Sequence, residues 1–252
     1  MLSAAILLNT NAFPALAQNK IGVASERLGL FFYHCLQIKA DIAVSRNLLY
    51  HSLDGSWKEL REGAHKAPSD LVAFSDGTYY LSRLHSILYE LKAFLDIVTP
   101  IICILISGKA GPDKFNKGKV DEKNISGAKL INWIHGHKDE ELPYRDAIVA
   151  SLTHASTEWI SKCVAWRDTL SHFNNLPGVT HMHVPISKGP KNLRARDILD
   201  PRLPEQQAFP EFAFDLTDKM GSFVATLFPL IPGVDGKLLA GWSEAKQVLM
   251  GR

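Results

Sequence analysis

Three stretches of this chain repeat apolar residues at every third or fourth position, and that spacing constrains the fold more than anything else in it. Between Lys20 and His51 the series is Val23, Leu28, Phe31, Cys35, Ile38, Ile42 and Leu49; between Tyr79 and Ile106 it is Leu81, Leu84, Leu88, Leu91, Leu95 and Val98. From Tyr144 to Phe173 it is Ile148, Leu152, Trp159, Ile160, Cys163, Trp166 and Leu170. Such spacing lines up one stripe along an α-helix, whereas a half-buried strand needs alternation. The expected fold is all-α, a helical bundle of three long helices with additional C-terminal helices.

The segments between them are read from their punctuation. Asp54-Gly55-Ser56 breaks the first run, and Trp57 to Lys66 is a polar, helix-compatible connection ending before Pro68. Ser69 or Asp70 suits the cap of the second helix, although Asp76-Gly77 argues for a break or a late start before Tyr79. Gly108 to Gly127 reads as a solvated loop with Lys109, Lys114, Lys117, Lys119 and Lys123, or as a phosphate-facing patch. It lacks the spacing of a phosphate-binding Walker loop. Beyond Gly178, Val179 to Ile186 suits a short strand and Arg194 to Pro210 a proline-punctuated loop, with helices over Phe212 to Phe228 and Asp235 to Met250. The expected organisation is an N-terminal segment over 1–19, loosely ordered or docked, a bundle over 20–178, and a C-terminal helical elaboration of the same domain over 179–252.

Composition narrows the classes of function. A chain with 46% hydrophobic and 21% charged residues is globular in type, and a formal charge of +2 provides no global basic field for nucleic acid. Cys35, Cys103 and Cys163 sit in apolar helical contexts without paired spacing, so buried reduced thiols and a cytoplasmic location are expected. The opening MLSAAILLNTNAFPALAQ imitates an export signal through Ala4 to Leu8 and Ala15-Leu16-Ala17, but no basic residue precedes the apolar run and Asn9, Thr10 and Asn11 interrupt it. Leu84 to Ile106 is apolar enough to raise a membrane span. Glu90, Lys92 and Asp96 within it, and Pro100, make a buried core helix the better expectation.

The polar residues of interest crowd the end of the third run, WISKCVAWRDTLSHFNNLPG, where Arg167, Asp168 and His172 fall within six positions before Asn174, Asn175, Pro177 and Gly178. On an ideal helix Arg167 and His172 point about 140° apart with an axial offset of about 7.5 Å, so they meet only through the reach of the arginine and the loosening of the last turn. A guanidinium and a titratable imidazole near one helix end suit an anionic, phosphate-like transition state. The bland account is a surface Arg167–Asp168 ion pair with His172 capping the helix. Glu90 and Asp96 need partners in so apolar a helix; they either line its solvated side or face the Arg167 helix. The pairs His135-Gly136-His137 and His181-Met182-His183 would present two imidazoles on one face if extended, but no third ligand stands at a recognisable spacing and no metal is expected.

Arg167-Asp168-Thr169-Leu170-Ser171-His172 resembles the R-x4-6-H motif, with a polar residue straight after the arginine, of the HEPN superfamily of helical proteins. Its place late in a long amphipathic helix after a tryptophan, and the acid in Leu88-Tyr89-Glu90-Leu91 of an earlier helix, are similar too. The resemblance implies metal-independent, cofactor-free endoribonuclease chemistry at a composite site in a homodimer. RNA would be the partner, with neither membrane nor DNA sequence recognition. Arg167 would hold the phosphate, His172 serve as general acid or base, Asp168 orient one of them and Ser171 assist. It equally implies the other class found among such proteins, a catalytically inactive helical binding or scaffold module.

Overall fold

A computed structural model describes residues 15–53, 57–58, 71–75, 77–137, 142, 144–171, 181–189, 191–205 and 207–231. It is mostly helical. The long elements are α1 (Ala15–Ser52) and α2 (Gly77–Ser107), followed by the shorter α3 (Ala128–His135). A third run is built from α4 (Arg145–Ala155), a π-helical turn (Ser156–Ile160) and α5 (Ser161–Ser171), and α6 (Phe209–Leu227) comes last. Two antiparallel pairs of short strands complete it: β1 (Leu71–Ser75) with β4 (His181–Pro185), and β2 (Lys117–Val120) with β3 (Lys123–Ser126). The expected final helix at Asp235 to Met250, the breaker Asp54 to Ser56, the caps Ser69 and Asp70, and most of the N-terminal segment lie outside the described residues.

The helices form where the apolar spacing places them, with shifted ends. In α1 the buried series is Ala17, Ile21, Ala24, Leu28, Phe31, Phe32, Cys35, Ile38 and Ile42, steps of mostly three and four, while Val23 is exposed. Helix α1 thus starts five residues before Lys20 and takes Ala15-Leu16-Ala17 into its first turn. Helix α2 continues through Pro100, which removes one backbone donor without ending the helix. One core cluster draws on all six helices; Phe209, Phe212, Leu216 and Met220 of α6 join Phe31, Leu88 and Ile160 within it. Among the described residues no helix is long and apolar enough to cross a membrane.

Helix α1 packs most extensively on α2, and a polar seam fixes the antiparallel register between them. Both carboxylate oxygens of buried Glu90 lie 3.1 Å from Arg27 Nη1. Further along, Arg83 Nη2 lies 2.9 Å from Asp41 Oδ2 as an ion contact without hydrogen-bond alignment, and Arg83 Nη1 lies 2.9 Å from His34 Nδ1. Arg27→Ala would leave the Glu90 carboxylate in the interface without its cation. The expected loss is about 2–3 kcal/mol in urea unfolding, less than for a fully buried pair because Arg27 keeps a third of its side chain in solvent. Adding Glu90→Gln to that variant should recover part of the loss; no recovery would show that the arginine stem, not its charge, carries the effect.

Two expectations are corrected here. Leu71 to Ser75 is a strand, not a helix start, because its apolar residues pair with β4 from Leu71↔Pro185 to Ser75↔His181. The lysine-rich stretch is not a plain loop: Asp121 and Glu122 take positive φ of 44° and 66° and close β2 onto β3 as a two-residue hairpin. The short strand expected at Val179 to Ile186 is β4. The helix expected at Phe212 to Phe228 begins at Phe209, with Pro210 in its first turn, where a missing N–H costs nothing.

Candidate functional site

The β2–β3 hairpin lies between α3 and α5 and is tied to both. Ser161 Oγ accepts from the Ser126 N–H at 2.9 Å, and Asn132 Nδ2 donates to the Lys119 carbonyl at 2.9 Å. At its entry the Phe115 N–H donates to Asp96 Oδ1 at 2.9 Å, and the Phe115 ring covers Gly127, where φ is +82° and a Cβ would come within 2.2 Å of Cζ. This docking delivers Lys117 to the end of α5. Its Nζ lies 3.2 Å from Asp168 Oδ2, while Arg167 Nη1 lies 3.1 Å from Asp168 Oδ1.

Asp168 is therefore a bridge between two cations from segments 51 residues apart. Burial alone would raise its carboxyl, but the hydrogen bonds and charges of Arg167 and Lys117 prevail and hold it below the usual carboxylate range. All three side chains are between about a third and a half exposed, with fractions of 32% for Arg167, 40% for Asp168 and 45% for Lys117. Two cations on one carboxylate leave one net positive charge at this edge. The Arg167 Nε–H is buried without an acceptor, so part of the guanidinium's donor capacity is unused.

The remaining expected site residues fall elsewhere. His172 lies outside the described residues. Ser171 is at the last position of α5, and its hydroxyl donates back to the Arg167 carbonyl at 2.9 Å, a bond internal to the helix. Glu90 is neither on a solvated side nor turned to α5; its contacts are with Arg27 of α1. Asp96 pairs with Lys92 one turn earlier and receives the Phe115 N–H, so it anchors the hairpin. Lys117 was visible in the sequence only as one of five lysines, with no spacing signal to connect it to Asp168.

The histidine pairs separate in the same way. His135 ends α3 and Gly136 continues near-helical at φ −74° and ψ −8°, so His135 and His137 do not share a strand face. His137 instead tilts over Trp133, with ring centroids 4.1 Å apart. His181 and His183 do share one face of β4, whose opposite residues Met182 and Val184 are buried. Among the described residues no group of three or more His, Cys, Asp or Glu side chains is placed to hold a metal ion. Cys35, Cys103 and Cys163 are free and buried, and burial pushes the Cys103 and Cys163 thiols up to about 12, which keeps them protonated and inert.

Burial, with His181 and Arg202 nearby, lowers the His183 imidazole below its usual range. The folded state thus favours the neutral ring: its contribution to stability is complete above the unfolded value of 6.5 and is lost as pH falls through the lower folded value. The thermal midpoint is expected to drop between about pH 7.5 and pH 5.5, and by less in His183→Gln. An equal drop in both proteins would place the sensitivity at another group, with His34 next in line because burial and Arg83 lower it too.

Comparison of the chain with family models, with curated proteins and with solved structures finds no match.

Proposed function

We propose that this chain is a HEPN-like, metal-independent endoribonuclease acting through Arg167 and His172. The supporting observation is the convergence of Arg167 and Lys117 on Asp168 at a half-exposed edge, five residues ahead of His172. A phosphodiester approaching this edge meets a partly exposed guanidinium and a second cation. Asp168 keeps the arginine oriented in the meantime. In the reaction the RNA 2′-oxygen attacks its own phosphorus and loses its proton to a general base. The phosphorus–O5′ bond breaks, and the O5′ leaving group is protonated by a general acid. The products are a 2′,3′-cyclic phosphate and a 5′-hydroxyl. His172 serves as acid or base, and Arg167 stabilises the charge that builds on the phosphoryl oxygens. In a homodimer two such helix ends would complete one groove, with the second histidine taking the opposite proton role. The buried free thiols suit a reducing, cytoplasmic setting.

A second reading has its own support. Asp168 joins helix to hairpin through both cations, and that arrangement serves a catalytically silent helical binding module equally well. Incubating the purified full chain with single-stranded RNA in EDTA separates the two. Cleavage that yields 2′,3′-cyclic ends and is absent from His172→Ala supports the ribonuclease. Intact RNA, or identical background in wild type and variant, supports the silent module.

A further inference from the structure

A cavity of about 400 Å³ opens between the end of α2 and α3, lined by Ile106, Ser107, Lys109, Ala110, Trp133 and His137. None of these residues belongs to the Arg167 cluster. The size falls in the range of small-molecule sites, which combine an apolar or aromatic wall with a few placed polar groups.

The aromatic wall is held from several directions. Behind it the loop after α2 presses backbone onto the indole at Gly111, where a Cβ would come within 2.9 Å of Trp133 Cε2 and 2.6 Å of Cys103 Sγ; only glycine lets the loop sit there. In front, the His137 ring leans on Trp133, and His137 Nδ1 lies 2.8 Å from the Trp133 carbonyl oxygen. That carbonyl can only accept, so Nδ1 carries the proton and Nε2 of the neutral ring is the acceptor. Arg145 Nη1 donates to the His137 carbonyl at 2.9 Å and fixes the residue from the far side. At the rim stands Lys109, exposed, at the start of the loop. The structure therefore offers a pair of aromatic rings tilted by 53°, one imidazole acceptor and one ammonium.

We propose that this cavity binds a nucleobase bearing a phosphate. The base packs against the tilted Trp133–His137 pair beside Ile106 and Ala110, one of its N–H groups donates to His137 Nε2, and the phosphate pairs with Lys109. Packing of a base on aromatic rings tolerates any base, so phosphate and ring are the recognised chemistry. That chemistry is shared by a free mononucleotide and by one nucleotide of an RNA strand.

The test is isothermal titration of the full chain with AMP, adenosine and a short oligoadenylate, using wild type, Lys109→Glu, His137→Leu, Trp133→Ala and Arg167→Ala. AMP is expected to bind more tightly than adenosine, with affinity falling about tenfold or more in Lys109→Glu and unchanged in Arg167→Ala. If AMP is silent but the oligoadenylate binds and responds to Lys109→Glu in the same way, the strand is the source. Trp133 is partly buried, so its alanine variant is scored only after its fold is checked by circular dichroism, and Lys109→Glu and His137→Leu carry the result where it does not fold. Binding that is abolished by Arg167→Ala and indifferent to Lys109→Glu and His137→Leu would overturn the proposal, as would no binding of either ligand. RNA cleavage by the same preparations is scored separately, so failure here leaves the Arg167 proposal standing.

Discussion

Arg167→Ala is expected to lower single-stranded RNA cleavage by about 10²- to 10³-fold, the usual effect of losing one oriented donor to a developing phosphoryl charge. Lys117→Ala is expected to lower it by less than about tenfold. The difference follows from chemistry and placement. The guanidinium is planar with several donors in a fixed fork, whereas the Lys117 ammonium is a single point charge on a flexible, nearly half-exposed stem. Neither change should disturb folding, since exposed ion pairs contribute at most about 1 kcal/mol. Unfolding midpoints of both variants should match wild type. If both variants show only the background that wild type shows, the pair is a clasp between helix and hairpin, and the silent-module reading stands.

Gly127→Val is expected to destabilise the protein by about 2–5 kcal/mol in urea unfolding. A β-branched residue is strained at φ +82°, and the new Cβ would fall 2.2 Å from the Phe115 ring, whose aromatic edge cannot retreat from a buried position. The Gly127 N–H also closes the hairpin onto the Asn116 carbonyl, so displacement would propagate to Lys117. Gly118→Ala on the same hairpin is the control. Its Cβ would meet only the Ala128 methyl, at 3.1 Å, with ordinary strand backbone, and it should cost far less. Similar losses in the two variants would mean that Phe115 moves aside freely.

How much of this could be read from the chain itself depended on the range of the interaction. Helices α1, α2 and α6 were legible because their stripes repeat locally over several turns, and only their ends moved, as at Ala15 and Phe209. Strand β1 was not, because Leu71-Val72-Ala73-Phe74-Ser75 is short and its partner Pro185 to His181 lies more than a hundred residues away. The β2–β3 hairpin escaped for a different reason. Its turn is Asp121-Glu122, two residues of positive φ without the Asn-Gly or Asp-Gly pair that usually marks such a turn. The charged helix end was legible as residue types, yet the partners were not: Glu90 belongs to Arg27, Asp96 to Lys92 and the Phe115 N–H, and Asp168 to Lys117 as well as Arg167. Such pairings are set by how helices lie against each other, which no local spacing encodes.

The π-helical turn at Ser156–Ile160 sits upstream of all of this, with β3 against it. A turn of this kind holds one residue beyond an α-helical turn. In genetic terms it is a site where losing a single codon restores a regular helix. Because the wider turn takes up its extra residue without adding rotation, that deletion would leave α5 in its present register. Losing one codon within α5 ahead of Arg167 would instead turn everything after it by about 100° and draw it back by about 1.5 Å. Only the second change would carry Arg167 and Asp168 away from Lys117, with every charge of that edge retained. The cationic edge is therefore tolerant of a one-residue change of length at the π-helical turn and intolerant of the same change a few residues later.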